Sequence, residues 1–193
     1  MKKQLLIAGL IVLGVFLWLN PSAKYNKMVL LDEEVKTSWS QVENQYQRRL
    51  DLVPNLVATV KGAADFEQET LTKVIEARAS ATKTNINLQD AEEFADFQQS
   101  QSGLSSALSR LMVVMEQYPQ LTATQGFADL RVQLEGTENR ISTERMRYNE
   151  TAKTYNVYVR QFPGALWANV FGFEVVNLFE ADEAAQTAPE VSF

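Results

Sequence analysis

Arginine, carboxylate, tyrosine and asparagine are the residues left to do chemistry in this 193-residue chain, because it contains no histidine and no cysteine. Without histidine the commonest general base and metal ligand is gone, and with it every Ser-His or Cys-His nucleophile pair. Without cysteine there is no thiolate nucleophile, no Cys-ligated zinc and no disulfide framework. A di-metal carboxylate centre of the kind built in helical bundles needs inward-facing Glu-x-x-His pairs, so that reading fails. Glycosidase chemistry needs two carboxylates across a cleft, and no cleft-forming fold is predicted. Glu67, Glu69, Glu92 and Glu93 fall in the opening turns of predicted helices, where a carboxylate complements the helix dipole. Arg78, Arg110, Arg131 and Arg140 are scattered among acids and read as a solvated face; a net charge of −6 argues against nucleic acid as a partner.

The polar residues that remain read as structural. Arg49 and Glu144 both occupy positions in apolar helical seams, where an ion pair across the chain would set register. Tyr148-Asn149 and Tyr155-Asn156 repeat seven residues apart, and Tyr25-Asn26 is a third copy of the dipeptide. A heptad spacing puts both later pairs on one helix face, with tyrosine toward the seam and asparagine beside it, able to bridge helices. Glu138 and Arg145 complete this set of polar core candidates. No catalytic, metal-binding or cofactor-binding residue is predicted.

The elements that must position these residues are helices. The first has the stripe Val35, Trp39, Val42, Tyr46, Arg49, Val53, Leu56 and Val60, alternating four and three residues apart. Asn20-Pro21 suits its start, and Pro54 kinks it without reversing the chain, because the stripe keeps its phase. A second helix starts at the Asp65-x-x-Gln68 capping box, runs to about Thr82 and buries Leu71, Val74 and Ile75. A third follows Asp90-x-x-Glu93, with Phe94, Phe97, Leu104, Leu108, Leu111, Met115 and Tyr118 on one face, and stops at Pro119. A fourth follows Thr122-x-x-Gln125 with the seam Phe127, Leu130, Leu134, Thr137, Ile141, Glu144, Tyr148, Thr151, Tyr155, Tyr158 and Phe162. The pattern predicts an all-α fold, an elongated antiparallel four-helix bundle with an N-terminal transmembrane helix.

That transmembrane helix is Leu5 to Leu19, an apolar run of fifteen residues that gives an anchor at 1–20 and the lipid bilayer as a partner through residues 5–19. It is short, but Lys2 and Lys3 can snorkel and Trp18 can sit at the opposite interface. A cleaved signal peptide is the alternative, with Pro21-Ser22-Ala23 a poor cleavage site. The flanking charges and the acidic domain lean toward a bundle (21–163) outside the cytoplasm. Four passes return the chain to the membrane end, so the apolar segment 164–179 packs on the bundle base, on a partner or on the membrane. Its contact candidates are Leu166, Trp167, Val170, Phe171 and Phe173. Residues 180–193 are expected to form a disordered acidic tail.

An ordered set of motifs carries a family resemblance. Tyr25-Asn26 is followed by Trp39-Ser40-Gln41-Val42, then by the unbroken run from Arg48 to Val57 and by Thr59-Val60-Lys61-Gly62. Glu67, Ala77-Arg78, Glu116-Gln117-Tyr118-Pro119 and Thr137-Glu138-Asn139 come next. Arg145-x-x-Tyr148-Asn149, Tyr155-Asn156 and Phe162-Pro163 close the series. Over residues 24 to 175 the sequence resembles the LemA family of bacterial membrane proteins. The resemblance implies a single N-terminal transmembrane segment, an elongated four-helix bundle and no catalytic site. It also implies envelope or membrane-organising roles, sometimes beside membrane peptidases, and an N-terminus outside the cytoplasm, opposite to the charge reading. The expected function is a non-enzymatic, membrane-anchored scaffold or interaction protein of the cell envelope. A self-assembling, membrane-shaping homo-oligomer is the alternative, and a carboxylate-dependent hydrolase the least favoured.

Overall fold

The stripe from Val35 to Val60 has the spacing of a helix that buries one face, and in the computed structural model every position of it, Arg49 included, is buried. The structure describes residues 2–19, 21–61, 67–83 and 85–180, without the side chains of 5 and 16–19. The elements are α1 (Lys2–Leu19), α2 (Pro21–Lys61), α3 (Gln68–Ser80), α4 (Ala91–Met115), α5 (Pro119–Thr122), α6 (Gln125–Arg160) and α7 (Gly164–Phe171). An extended strap, 172–180, follows α7. The protein is all-α, with no strand among the described residues.

The 41-residue α2 spans about 60 Å, and α6 packs antiparallel along it. Trp39 packs against the Tyr148 ring, and ten residues further along α2, Arg49 meets Glu138, ten residues earlier in α6. That ten-for-ten match fixes the register of the long pair. α3 and α4 pack on each other as a hairpin beside it. α4 runs in the direction of α2: Phe94 and Phe97 lie against Trp39, Gln101 reaches Arg49, and Leu104 to Met115 join the residues from Val53 to Val60 in one core. Two cores result. One is aromatic, built on Trp39, Tyr46, Phe94, Phe97, Tyr148 and Tyr155; the other is aliphatic apart from Phe127 and lies toward the far end. Arg49 sits between Tyr46 of the first and Leu50 of the second.

Pro54 lies inside α2, which continues through it. A proline has no amide hydrogen for the carbonyl four residues earlier, here that of Leu50. Arg78 of α3 supplies the missing donor: its Nε lies 3.0 Å from the Leu50 oxygen. The expectation that Arg78 belongs to a solvated face is thereby corrected.

Several other expectations shift. α4 is capped by Asp90, whose carboxylate accepts from the Glu92 and Glu93 amides at 3.0 Å. The reciprocal half of the box is absent, because Glu93 is engaged by the Asn87 amide and by Lys83. Pro119 opens the separate one-turn α5, so α6 starts at Gln125 after Thr124, and not after Thr122. Ile75 of α3 is 45% exposed, and Leu130, Thr151 and Tyr158 of α6 are half-buried. The buried stripe of α6 runs Tyr148, Ala152, Tyr155, Val159, one residue out of phase at alternate steps, because a straight helix of 3.6 residues per turn drifts from a strict heptad. α6 ends at Arg160, which leaves Phe162 outside the seam and 66% exposed.

The anchor also differs from expectation. Among the described residues no helix is long and apolar enough to cross a membrane. α1 has 18 residues, but it begins Lys2-Lys3-Gln4, and the apolar remainder is about 22 Å long against a hydrocarbon core of about 30 Å. Trp18 as an interface residue, the Asn20 cap, the Asp65 capping box and the tail at 181–193 lie outside the described residues.

Candidate functional site

Two polar constructions interrupt the apolar packing. The first is the layer around Arg49. Its Nη1 donates to Glu138 Oε1 and to Ser105 Oγ, each at 2.6 Å. Its Nη2 donates to the Gln101 side-chain oxygen at 2.6 Å and to the Gln101 carbonyl at 3.1 Å. Gln101 in turn donates to the Ala81 carbonyl at 2.9 Å, which ties the end of α3 to the layer. The guanidinium stacks 5.2 Å from the Tyr46 ring centre, and its Nε has no partner. A cleft of about 290 Å³ opens beside it, lined further by Gln98, Ser102, Ser142 and Arg145.

Arg49 is therefore paired with Glu138, and the expected Arg49–Glu144 pair does not form. The register of α2 on α6 places Glu144 six residues away from the level of Arg49, about 9 Å along the helix. Glu144 pairs with Arg147 at 2.8 Å instead. The buried arginine is 1% exposed and the Glu138 side chain 42%, so one end of the pair keeps its water. Among the described residues Glu138 is the single carboxylate lining the cleft.

The second construction holds the strap. The Asn156 side chain donates to the Val176 carbonyl at 2.8 Å and accepts from the Val176 amide at 2.9 Å. Asn149 makes the same two bonds with Phe179, both at 2.9 Å. Each asparagine amide thus pairs with one strap residue as a neighbouring strand would. Tyr155 donates to the Glu174 carbonyl at 2.8 Å and Tyr148 to the Asn177 carbonyl at 2.7 Å. Both spacings match: seven helical residues rise about 10.5 Å, and three extended residues cover about 10 Å. Asn177 ties the other side of the strap to the Leu88 carbonyl. Arg145 closes the end, donating to the Glu180 carbonyl at 3.1 Å with its guanidinium 4.6 Å over the Phe179 ring. Burial pushes the Tyr148 phenol up, and burial above all raises Tyr155 to about 12.

α7 turns the chain from α6 into the strap. Gly164 passes so close to the Tyr158 carbonyl that a Cβ would collide with it. Gly172 caps α7 at φ +75°, a conformation glycine adopts without strain. The five apolar candidates of this segment divide. Trp167 stacks on Phe171, and Tyr25 of α2 packs edge-on against Phe171 and Phe173 at 5.0 and 5.9 Å. Leu166 and Val170 point outward, as does Phe162 before them.

Of the predicted polar set, Arg49 and Glu138 share the central layer, and Arg145, Tyr148, Asn149, Tyr155 and Asn156 share the strap, while Glu144 belongs to neither. Gln101, Ser105 and Arg78 were not singled out in this role. Gln101 had a readable signal: it falls four residues after Phe97 and three before Leu104, a polar entry in an apolar seam.

A family model described as the LemA family matches residues 38–193. Magnetosome protein MamQ 2 of Paramagnetospirillum magneticum is 26% identical over 183 residues, covering 85% of this chain and 67% of that protein. Magnetosome protein MamQ of Magnetospirillum gryphiswaldense matches with the same identity and coverage. Protein LemA of Metamycoplasma hominis is 21% identical over 187 residues, covering 95% of this chain and 80% of its own.

Proposed function

This chain belongs to the LemA family, and from that premise we propose that it is a non-enzymatic helical scaffold of the bacterial cell envelope, attached to the membrane by α1. The observation that carries this reading is the surface of α1. Leu10, Ile11, Val12 and Leu13 are consecutive and all more than half exposed, so the helix is apolar around a full turn. A helix of that kind needs a protein interior or a bilayer around it, and one that merely lies on a membrane would keep a polar face. Its fifteen apolar residues, about 22 Å as a helix, fall short of the full hydrocarbon core of about 30 Å and would embed in it with Lys2 and Lys3 reaching back to the surface. The long α2–α6 pair then presents side-chain faces to other proteins, membrane peptidases among them, and the four hydrogen bonds that hold the two Nη atoms of Arg49 favour a structural over a catalytic role for the polar layer.

Flotation of the full chain with lipid vesicles tests the attachment. The native chain is expected to float, and Ile11→Arg to stay in the dense fraction with its helicity intact. A native chain that remains in the dense fraction overturns the reading. Topology is read separately: Val132→Cys in this cysteine-free chain gives one site for an impermeant maleimide on spheroplasts. Labelling before lysis places the helices outside the cytoplasm, as the charge pattern suggests.

A further inference from the structure

We propose that the base of the molecule, formed by Phe162, Leu166 and Val170 with a basic rim of Lys24, Lys27 and Arg160, is a second membrane contact that rests in the headgroup layer of an anionic bilayer. The inference rests on α1 being in the membrane. Only residue 20 separates α1 from α2, so the first residue of α2 lies within about 8 Å of the end of α1. Tyr25, one turn later, touches Phe171 of α7, and the Met28 methyl lies 3.7 Å from where a Gly164 Cβ would be. If α1 is in the bilayer, α7 therefore lies beside it.

The outward side of that base is apolar. Phe162, Leu166 and Val170 are 66%, 54% and 70% exposed, while the opposite side of α7 buries Gly164 and Ala168 against the helices. Its charge is also distinct from the rest of the protein. The stretches that build the base, 21–31 and 156–173, contain Lys24, Lys27 and Arg160 and no acid, in a chain whose net charge is −6. Lys24 lies 5.9 Å from the Tyr158 ring, beside the carbonyl that contacts Gly164, which brings this cation of α2 to the edge of α7. An apolar patch rimmed by lysine and arginine is what an interfacial contact with anionic lipid requires. The sequence of α7 alone lacks these cations; the fold brings them from α2 and α6. Two contacts, one within the bilayer and one on it, would fix the attitude of the long helices.

Nitroxide labels on Leu10→Cys, Val170→Cys and Val132→Cys, each in the full chain, test this in vesicles of phosphatidylethanolamine and phosphatidylglycerol. All three positions are highly exposed, so the substitutions leave the core untouched. Accessibility to oxygen against a water-soluble nickel chelate is expected to be several-fold higher at 10 and 170 than at 132. Val170 should lose that difference in phosphatidylcholine vesicles while Leu10 keeps it. A Leu10 label in lipid with a Val170 label as aqueous as Val132 overturns this inference and leaves the attachment standing. An aqueous Leu10 label overturns both. Immobilisation at 170 without vesicles reports a protein contact there and overturns the lipid assignment.

Discussion

Arg78 Nε lies 3.0 Å from the Leu50 carbonyl oxygen, the one backbone acceptor in α2 that Pro54 leaves without its helical donor. A side chain from a neighbouring helix thus repairs the hydrogen-bond ladder at the proline. A charged donor to a buried acceptor contributes about 1.5–3 kcal/mol, so Arg78→Met should destabilise by that amount in urea unfolding. In a Pro54→Ala background an amide hydrogen can reclaim the Leu50 oxygen, and the same arginine substitution should cost at least about 1 kcal/mol less. Additive effects would mean that Arg78 stabilises through something other than the Leu50 carbonyl.

The Arg49–Glu138 pair should respond unequally to loss of either end. Removing Glu138 leaves a cation 1% exposed with neutral acceptors only, which costs about 3–5 kcal/mol. Removing Arg49 leaves a carboxylate that is 42% exposed and can rehydrate, so Arg49→Met should cost less, about 1–3 kcal/mol for the bonds to Gln101 and Ser105. Chemical denaturation of Glu138→Leu and Arg49→Met decides the order. Equal losses would show that water reaches the arginine.

The apolar seam of α2 could be read position by position because a helix that buries one face must repeat it, and Arg49 stood out as its charged entry. Its partner could not be read the same way. Choosing Glu138 over Glu144 requires the register of α2 on α6, which Trp39 and Tyr148 set through a tertiary contact. The repeat of Tyr148-Asn149 in Tyr155-Asn156 was visible, and its one-face geometry followed from the heptad. Its target was not, because the asparagines bind backbone atoms of the strap, and backbone atoms leave no signature in sequence. Tyr25-Asn26 shows the limit of the motif: Tyr25 packs on Phe171 and Phe173, and Asn26 is exposed. Arg78 was misread because its role depends on a carbonyl twenty-eight residues away that only a proline makes available.

The two asparagine rungs give a prediction about the strap. Asn156→Leu removes both bonds to Val176, whose residue is buried, and should cost about 2–3 kcal/mol while leaving α2 and α6 helical. Hydrogen exchange at the Val176 amide should accelerate strongly, and exchange at the Phe179 amide, held by Asn149, should follow if the rungs act together. Unchanged protection at Val176 would mean that its amide is shielded by packing alone.

High pH should release the same strap from the tyrosines of the same helix, α6. Tyr148 and Tyr155 donate their phenolic hydrogens to strap carbonyls, and a phenolate has no hydrogen to donate. Both phenols are pushed up by burial, Tyr155 to about 12, whereas in the unfolded chain they ionise near 10. A folded-state value above the unfolded one means that the folded protein binds more protons at alkaline pH, so stability is fully present below about pH 10 and falls as pH rises toward the folded value. Urea midpoints should be flat with respect to these groups up to about pH 9 and decline above about pH 10. Tyr155→Phe should lower the midpoint at neutral pH by one lost hydrogen bond and make the alkaline decline shallower. If the slope of the variant matches that of the native chain, the decline comes from other groups, and the phenol of Tyr155 is not the one that resists ionisation.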